Sequence, residues 1–357
     1  MDYQTIFFEL VVIKVFILTV ASFVVAILST PLLTHFLYKY KLGKTIRVDK
    51  NTPIFSKMHA HKAGTPTMGG ILIWFTVLLL AVLFNILSHI GKGSWLEQLN
   101  FLTRNETLLP LGALVASSIV GLVDDLLNVF GIGSKGGGLR MRHKLIIYTI
   151  IAAVGAYWFY FKLDWDLIRV PFLGNFNIDW WYIPLFIFII VATSFSVNET
   201  DGLDGLAGGA LLIAFSSYGV IAFAQGRYNL AAFCGVIVGA LLAFLWFNIN
   251  PARFFMGDTG SMGLGVALGI IAMLTNTVLL LPFIGFLFVL ESLSVIIQIF
   301  SKRFLGRKVF RSAPIHHHFE ALGWPEPKIV MRFWIISGVM AVIGLIIFFI
   351  DYRLFSI

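Results

Sequence analysis

Ten stretches of mostly apolar residues recur along the chain, near 8–37, 69–90, 107–123, 145–162, 181–197, 206–224, 230–247, 261–280, 282–300 and 333–350. A helix needs ~20 such residues to cross the hydrocarbon core of a bilayer. Inside lipid every backbone polar group must also be satisfied within the protein, which leaves only helices or closed barrels. The runs are far too long for barrel strands. They predict an all-α, polytopic membrane protein with about ten transmembrane helices in one bundle, forming a single domain over 1–357. Composition agrees, with 59% hydrophobic and 12% charged residues, against about 45–50% and 25% in soluble proteins. The first run is preceded by Asp2 rather than by a basic segment and is too long for a signal peptide, so it reads as a retained span. The ninth is broken by Glu291 and Gln298 and reads as an interrupted helix.

Charge then orients the bundle. Nineteen of the 26 Lys and Arg fall in four loops on one face of the ten-span arrangement: 39–68 with seven, 124–144 with four, the Arg253 loop with one and 302–332 with seven. Basic loops stay cytoplasmic, so this face is expected inside and both termini outside. The net charge of +8 is thus a sided charge that attracts anionic lipid; no nucleic-acid motif is present. Cys234, the single cysteine, lies in an apolar run and reads as a small buried hydrophobe.

The same face collects the unusual polar residues. It carries "HAHKAGTPTMGG" (59–70), "DDLLNVFGIGSKGGGLRMRHK" (124–144), "NETDGLDGLAGG" (198–209), "FNINPARFFMGDTGS" (247–261) and "RSAPIHHHFEALGWPEPK" (311–328), whereas "RNETLL" and "FKLDWDLIRVPF" on the other face read as ordinary interfacial segments. Asp124, Asp125, Asp201, Asp204 and Asp258 all stand at span ends there. One such Asp would serve as a helix cap; five together are costly at membrane depth and mark a functional site. Clustered carboxylates repel unless a cation joins them, and one or two carboxylates plus substrate phosphates suit Mg²⁺. Lys62, Lys135, Arg142 and Lys144 flank the acids. Acids with a metal and basic side chains together are what a diphosphate substrate requires. His316, His317 and His318 are consecutive, so they cannot all face one point on a helix, and a three-His zinc site is not expected; on an irregular loop two of them could reach a phosphate or a carboxylate. The Gly-rich stretches lack the GxxxxGK[ST] order of a P-loop and suit tight turns and close helix contact.

These motifs, in this order, resemble the phospho-N-acetylmuramoyl-pentapeptide transferase family of the polyprenyl-phosphate N-acetylhexosamine-1-phosphate transferase superfamily. The resemblance runs nearly end to end, through "KxGTPTMGG", "GxxDD", "NxTDGLDGLA", "NxxPAxxFMGDTGS", "PxHHHFE" and "PEPKIVxRxWIIS". It implies transfer of phospho-MurNAc-pentapeptide from its UDP carrier to undecaprenyl phosphate, giving lipid I and UMP, with Mg²⁺, in the bacterial cytoplasmic (inner) membrane. It implies Asp258 as the Mg²⁺ ligand, Asp124 and Asp125 as the essential acidic pair with Asp124 as the base, and His316, His317 and His318 as the family triplet. The nucleoside pocket would draw on Lys62, Asn198, Asp201, Asp204, Asn248, Phe255 and Gly257, and Lys144 matches a family lysine. The broken ninth span would flank the polyprenyl groove, and a homodimer is implied. Leu126, Asn128 and Glu199 depart from the usual family residues. Three rival readings remain open on the residues: a sister transferase using UDP-N-acetylglucosamine or a related sugar nucleotide, a cation-coupled transporter, which would place its acids at mid-membrane, and a non-catalytic scaffold, which would tolerate Asp258→Asn.

Overall fold

The structure, a computed structural model, describes residues 3–43, 62, 64–91, 93, 95–133 and 137–355. Lys135 and the basic residues between 44 and 57 lie outside the described residues. The long helices are α1 (Tyr3–Lys39), α2 (Ile71–Ile90), α3 (Leu108–Val129), α4 (Met141–Lys162), α5 (Tyr182–Thr200), α6 (Leu206–Ala224), α7 (Tyr228–Asn248), α8 (Asp258–Leu274), α9 (Phe286–Phe304) and α11 (Glu326–Phe355), with the short α10 (Ile315–Ala321) between the last two. Each predicted run thus has its helix, but the exact count of ten spans is not confirmed. Among the described residues, eight helices are long and apolar enough to cross a membrane, or nine when Val278–Ile284 and α9 are taken as one span bent by 85°.

The exception is α8, with 17 residues. Every residue from Thr259 to Leu274 is buried, so its surroundings are protein rather than hydrocarbon, and a full membrane length is not demanded of it. Its glycines make that enclosure work. A Cβ on Gly263 would collide with Ser118 of α3, and one on Gly265 would stand 2.7 Å from the Ser194 Cα of α5. Small residues let helix backbones approach where apolar burial alone gives no drive. The periphery is the reverse: α1 presents Val20, Leu28, Leu32 and Phe36 outward, and α11 presents Ile335, Val339 and Ile346. Apolar side chains on that surface are the expected lipid contact. Some hydroxyls inside the bundle return to their own helices, as when Thr30 donates to the Ala26 carbonyl at 2.9 Å and Thr193 to Ile189 at 2.9 Å, while others join helices, as when Ser22 of α1 donates to the Val236 carbonyl of α7 at 2.6 Å.

Helix polarity brings the ends of α1, α3, α5, α7 and α9 and the starts of α2, α4, α6, α8 and α11 to one end of the bundle. The opposite end holds a feature the sequence reading missed. "FKLDWDLIRVPF" includes a strand, β1 (Leu167–Val170), paired antiparallel with β2 (Gly174–Asn177). Arg169 Nε donates to Asp351 Oδ2 at 2.6 Å and pins this hairpin to the last turns of α11.

Candidate active site

The two adjacent acids of "GLVDD" lie inside α3, which runs six residues past the expected end of its span to Val129. Successive helix positions point about 100° apart, so the two carboxylates leave in different directions and do different things. Asp125 reaches the start of α8. Its Oδ1 accepts the Asp258 N–H at 3.2 Å and its Oδ2 the Thr259 N–H at 3.0 Å. A helix N-terminus carries orphan N–H groups and partial positive charge, and here a carboxylate from another helix satisfies them. Asp201 adds a third contact, accepting the Gly257 N–H at 3.1 Å. Gly257 precedes the helix at φ +72°, and a Cβ there would stand 2.5 Å from Asp125 Oδ2. A side chain at 257 would therefore be strained and would push the capping acid away.

Asp124 points to the other side, toward Lys144. Its Oδ2 lies 2.8 Å from Lys144 Nζ, and its Oδ1 accepts the Leu139 N–H. Lys144 also pairs with Asp258 Oδ2. Asp258 Oδ1 accepts Asn198 Nδ2 at 2.6 Å, and the same amide donates to Ser261 at 2.9 Å. Asp124, Lys144, Asn198 and Asp258 come from four helices and meet at one point at the polar end of the bundle. Arg142, predicted beside them, is exposed on the first turn of α4 and is in none of these contacts.

This cluster has the chemistry of a cation site. Asp124 Oδ2 and Asp258 Oδ2 both converge on a single positive group, the Lys144 ammonium. All the anionic donors are carboxylate oxygens, the hard type that Mg²⁺ takes. Among the described residues no group of three or more His, Cys, Asp or Glu is arranged to hold a metal by itself. A site of one or two carboxylates completed by substrate phosphates is the arrangement Mg²⁺ prefers to an all-protein cage. The residues therefore fit Mg²⁺, with Asp258 and Asp124 as the available ligands.

A second polar centre lies beside it. Lys62 Nζ sits 2.6 Å from Asp204 Oδ1 and 2.6 Å from Glu326 Oε1, and 5.8 Å from the centre of the Phe255 ring. Phe255 is half-buried, whereas Phe254 is wholly buried against Phe244 and Phe247. Only Phe255 keeps a partly open face beside the lysine. Asn248, expected in this pocket, uses both ends of its amide on backbone: Oδ1 accepts Gly205 N–H at 3.0 Å and Nδ2 donates to the Phe254 carbonyl at 2.9 Å. It clips the 201–205 turn to the 254–257 strand-like stretch rather than projecting from it. Glu326, in the first turn of α11, was not among the residues the sequence singled out.

The three histidines diverge, as their spacing required, but from the helix α10 rather than from an irregular loop. His316 Nδ1 lies 2.9 Å from Glu291 Oε2 on α9, His317 Nδ1 lies 2.6 Å from Glu320 Oε2, and His318 Nδ1 accepts the Arg311 N–H at 3.1 Å. Burial alone would lower the His316 pKa. The Glu291 carboxylate beside it outweighs that and holds it above the ordinary histidine value. The His316 ring lies directly against Gly202, where any Cβ would collide with Nε2. The broken ninth span thus supplies the acid that anchors this histidine, and the histidine backs the 201–205 turn.

Comparison with known proteins points to the same segments. The family model of glycosyl transferase family 4 matches residues 107–276. Signature 1 of the phospho-N-acetylmuramoyl-pentapeptide-transferases matches residues 62–73. A phospho-N-acetylmuramoyl-pentapeptide-transferase of Chloroflexus aggregans is 41% identical over 345 residues, covering 93% of this chain and 89% of that protein. The proteins of that name in Geobacillus thermodenitrificans and Clostridium novyi are 39% and 38% identical, over 91% and 90% of this chain and 95% and 93% of their own.

Proposed function

The chain belongs to the phospho-N-acetylmuramoyl-pentapeptide-transferase family, and from that premise we propose that it transfers phospho-MurNAc-pentapeptide from UDP-MurNAc-pentapeptide to undecaprenyl phosphate, releasing UMP and forming lipid I. The observation that carries the reading is the meeting of Asp124, Lys144, Asn198 and Asp258 at one end of a lipid-exposed bundle. One substrate is soluble and anionic; the other has its tail in lipid and its phosphate at the surface. Chemistry between them belongs at that boundary.

Phosphoryl transfer is mostly positioning plus charge stabilisation. Asp124 takes the proton of the attacking lipid phosphate at Oδ2, the oxygen now paired with Lys144. Lys144 then offsets charge on the diphosphate. Asn198 fixes the Asp258 carboxylate, and Asp125 and Asp201 fix the helix start that bears it. Mg²⁺, held by Asp258 with Asp124 beside it, would supply Lewis-acid neutralisation of the diphosphate oxygens. Lys62, Asp204 and Phe255 form the wall for the nucleoside, the lysine and ring supplying charge and a stacking face. The basic end is the cytoplasmic face of the bacterial inner membrane, as the Lys and Arg distribution supports. The test is the donor: labelled sugar from UDP-MurNAc-pentapeptide should enter the lipid fraction, and labelled UDP-N-acetylglucosamine should not. Incorporation from the second donor alone would move the chain to the sister reaction.

A further inference from the structure

We infer that Glu326 is a positioning residue for the nucleotide side of the site, holding Lys62 and the Asp204 turn in their binding arrangement; this rests on the transferase reading above. An acid in the first turn of a helix ordinarily serves its own helix dipole. Glu326 instead serves three other segments. Its Oε1 accepts Lys62 Nζ at 2.6 Å and the Asp204 N–H at 2.6 Å, and its Oε2 accepts Asn250 Nδ2 at 3.2 Å. Asp204 closes the same ring of contacts, receiving Lys62 on Oδ1, and Asn250 at 3.0 Å and the Ala252 N–H at 3.1 Å on Oδ2. One carboxylate from α11 therefore joins the segment before α2, the turn before α6 and the loop after α7. The side chains concerned are 9% exposed for Lys62, 3% for Asp204 and 11% for Glu326.

Charge explains why the second acid matters. Lys62 is flexible and its ammonium carries three donors. Asp204 alone ties the lysine and the turn to the loop at 250–252 but not to α11, and it holds the ammonium from one side only. With Glu326 the ammonium is held from two sides, over the edge of the Phe255 pocket. Replacing the carboxylate by an amide keeps the size, removes the charge, and turns one oxygen into a donor that faces either the Asn250 amide or the Lys62 ammonium, both of them donors too.

The experiment compares wild type, Glu326→Gln and Glu326→Asp in UMP release, varying the donor at saturating undecaprenyl phosphate and then the reverse. Loss of uniform binding raises KM with kcat kept. The expected result for E326Q is a donor KM raised about tenfold, with kcat and the undecaprenyl phosphate KM changed less than about twofold, and partial recovery in E326D. A calorimetric titration with UMP alone should show the same weakening without any transfer step. Equal UMP binding and equal donor KM in the two variants, with the wild type active, would overturn the inference and leave the transferase reading intact. A lower kcat at unchanged donor KM would likewise overturn it, since that is the mark of fewer folded molecules. A wild type that neither binds nor releases UMP would remove the transferase reading itself.

Discussion

Asp125→Asn separates the two adjacent acids. Asp125 accepts the Asp258 and Thr259 amides, one on each oxygen. Asparagine keeps one acceptor and turns an NH₂ toward the other amide. Losing one hydrogen bond to a charged group costs about 1.5–3 kcal/mol. Losing the negative charge at the helix end adds about 0.3–1 kcal/mol. The sum, about 2–4 kcal/mol, is expressed through the placement of Asp258, the first residue of α8. At about 1.4 kcal/mol per factor of ten, transfer should fall about 30- to 900-fold. The thermal midpoint in detergent should fall with it, and the pH profile of the residual activity should keep the wild-type shape. Asp124→Asn should do the opposite: a larger loss, an altered pH profile and little change in thermal midpoint. The assay is UMP release across pH, with melting followed on the same preparations. A D125N protein of wild-type stability that has lost more than about 10⁴-fold, the range of a general-base group, would refute the capping argument and make Asp125 the proton acceptor.

Other outcomes follow from the same contacts. Removing divalent cations with EDTA should abolish transfer, and Mg²⁺ should restore it in wild type but not in Asp258→Asn, which should still fold; full activity under chelation would remove the metal from the account. His316 has a folded-state pKa above its unfolded value, so its pairing with Glu291 stabilises fully below the unfolded value of about 6.5 and is lost as pH rises through the folded one. The melting midpoint should therefore decline on the alkaline side in wild type and flatten in Glu291→Gln; parallel curves would show that the pair is not the source. Gly202→Ala drives a methyl into the His316 ring and should cost about 1–3 kcal/mol by overpacking, measured as a lower midpoint that His316→Ala partly restores. No restoration would mean that the turn fails for backbone reasons instead.

The sequence carried the bundle because lipid imposes one rule on every span, and the apolar runs obey it. It could not tell a helix surrounded by lipid from one surrounded by protein. Asp258–Leu274 is apolar either way, and only its glycines hinted at close neighbours. The hairpin at 167–177 was hidden for a related reason: four-residue strands with aromatic flanks look like any interfacial loop. At the site, Asp124, Asp258 and Lys144 were legible because charges at membrane depth are expensive and need partners, whereas the neutral Asn198 was named only through the family resemblance. The different directions of Asp124 and Asp125 were not legible until the helix was known to continue past them. Glu326 was missed because an acid after a proline at a helix start has an ordinary explanation, and its partners lie 264 and 122 residues away in sequence. Glu291 was noticed as an interruption of the ninth span, but its partner His316 could not be named from spacing.

The most direct measurement is UMP release by the purified, detergent-solubilised chain given UDP-MurNAc-pentapeptide, with undecaprenyl phosphate and Mg²⁺ each present or withheld. The account predicts release only when all three are present, and its loss in Asp258→Asn. Release without undecaprenyl phosphate, or none from a folded protein given all three, would contradict it.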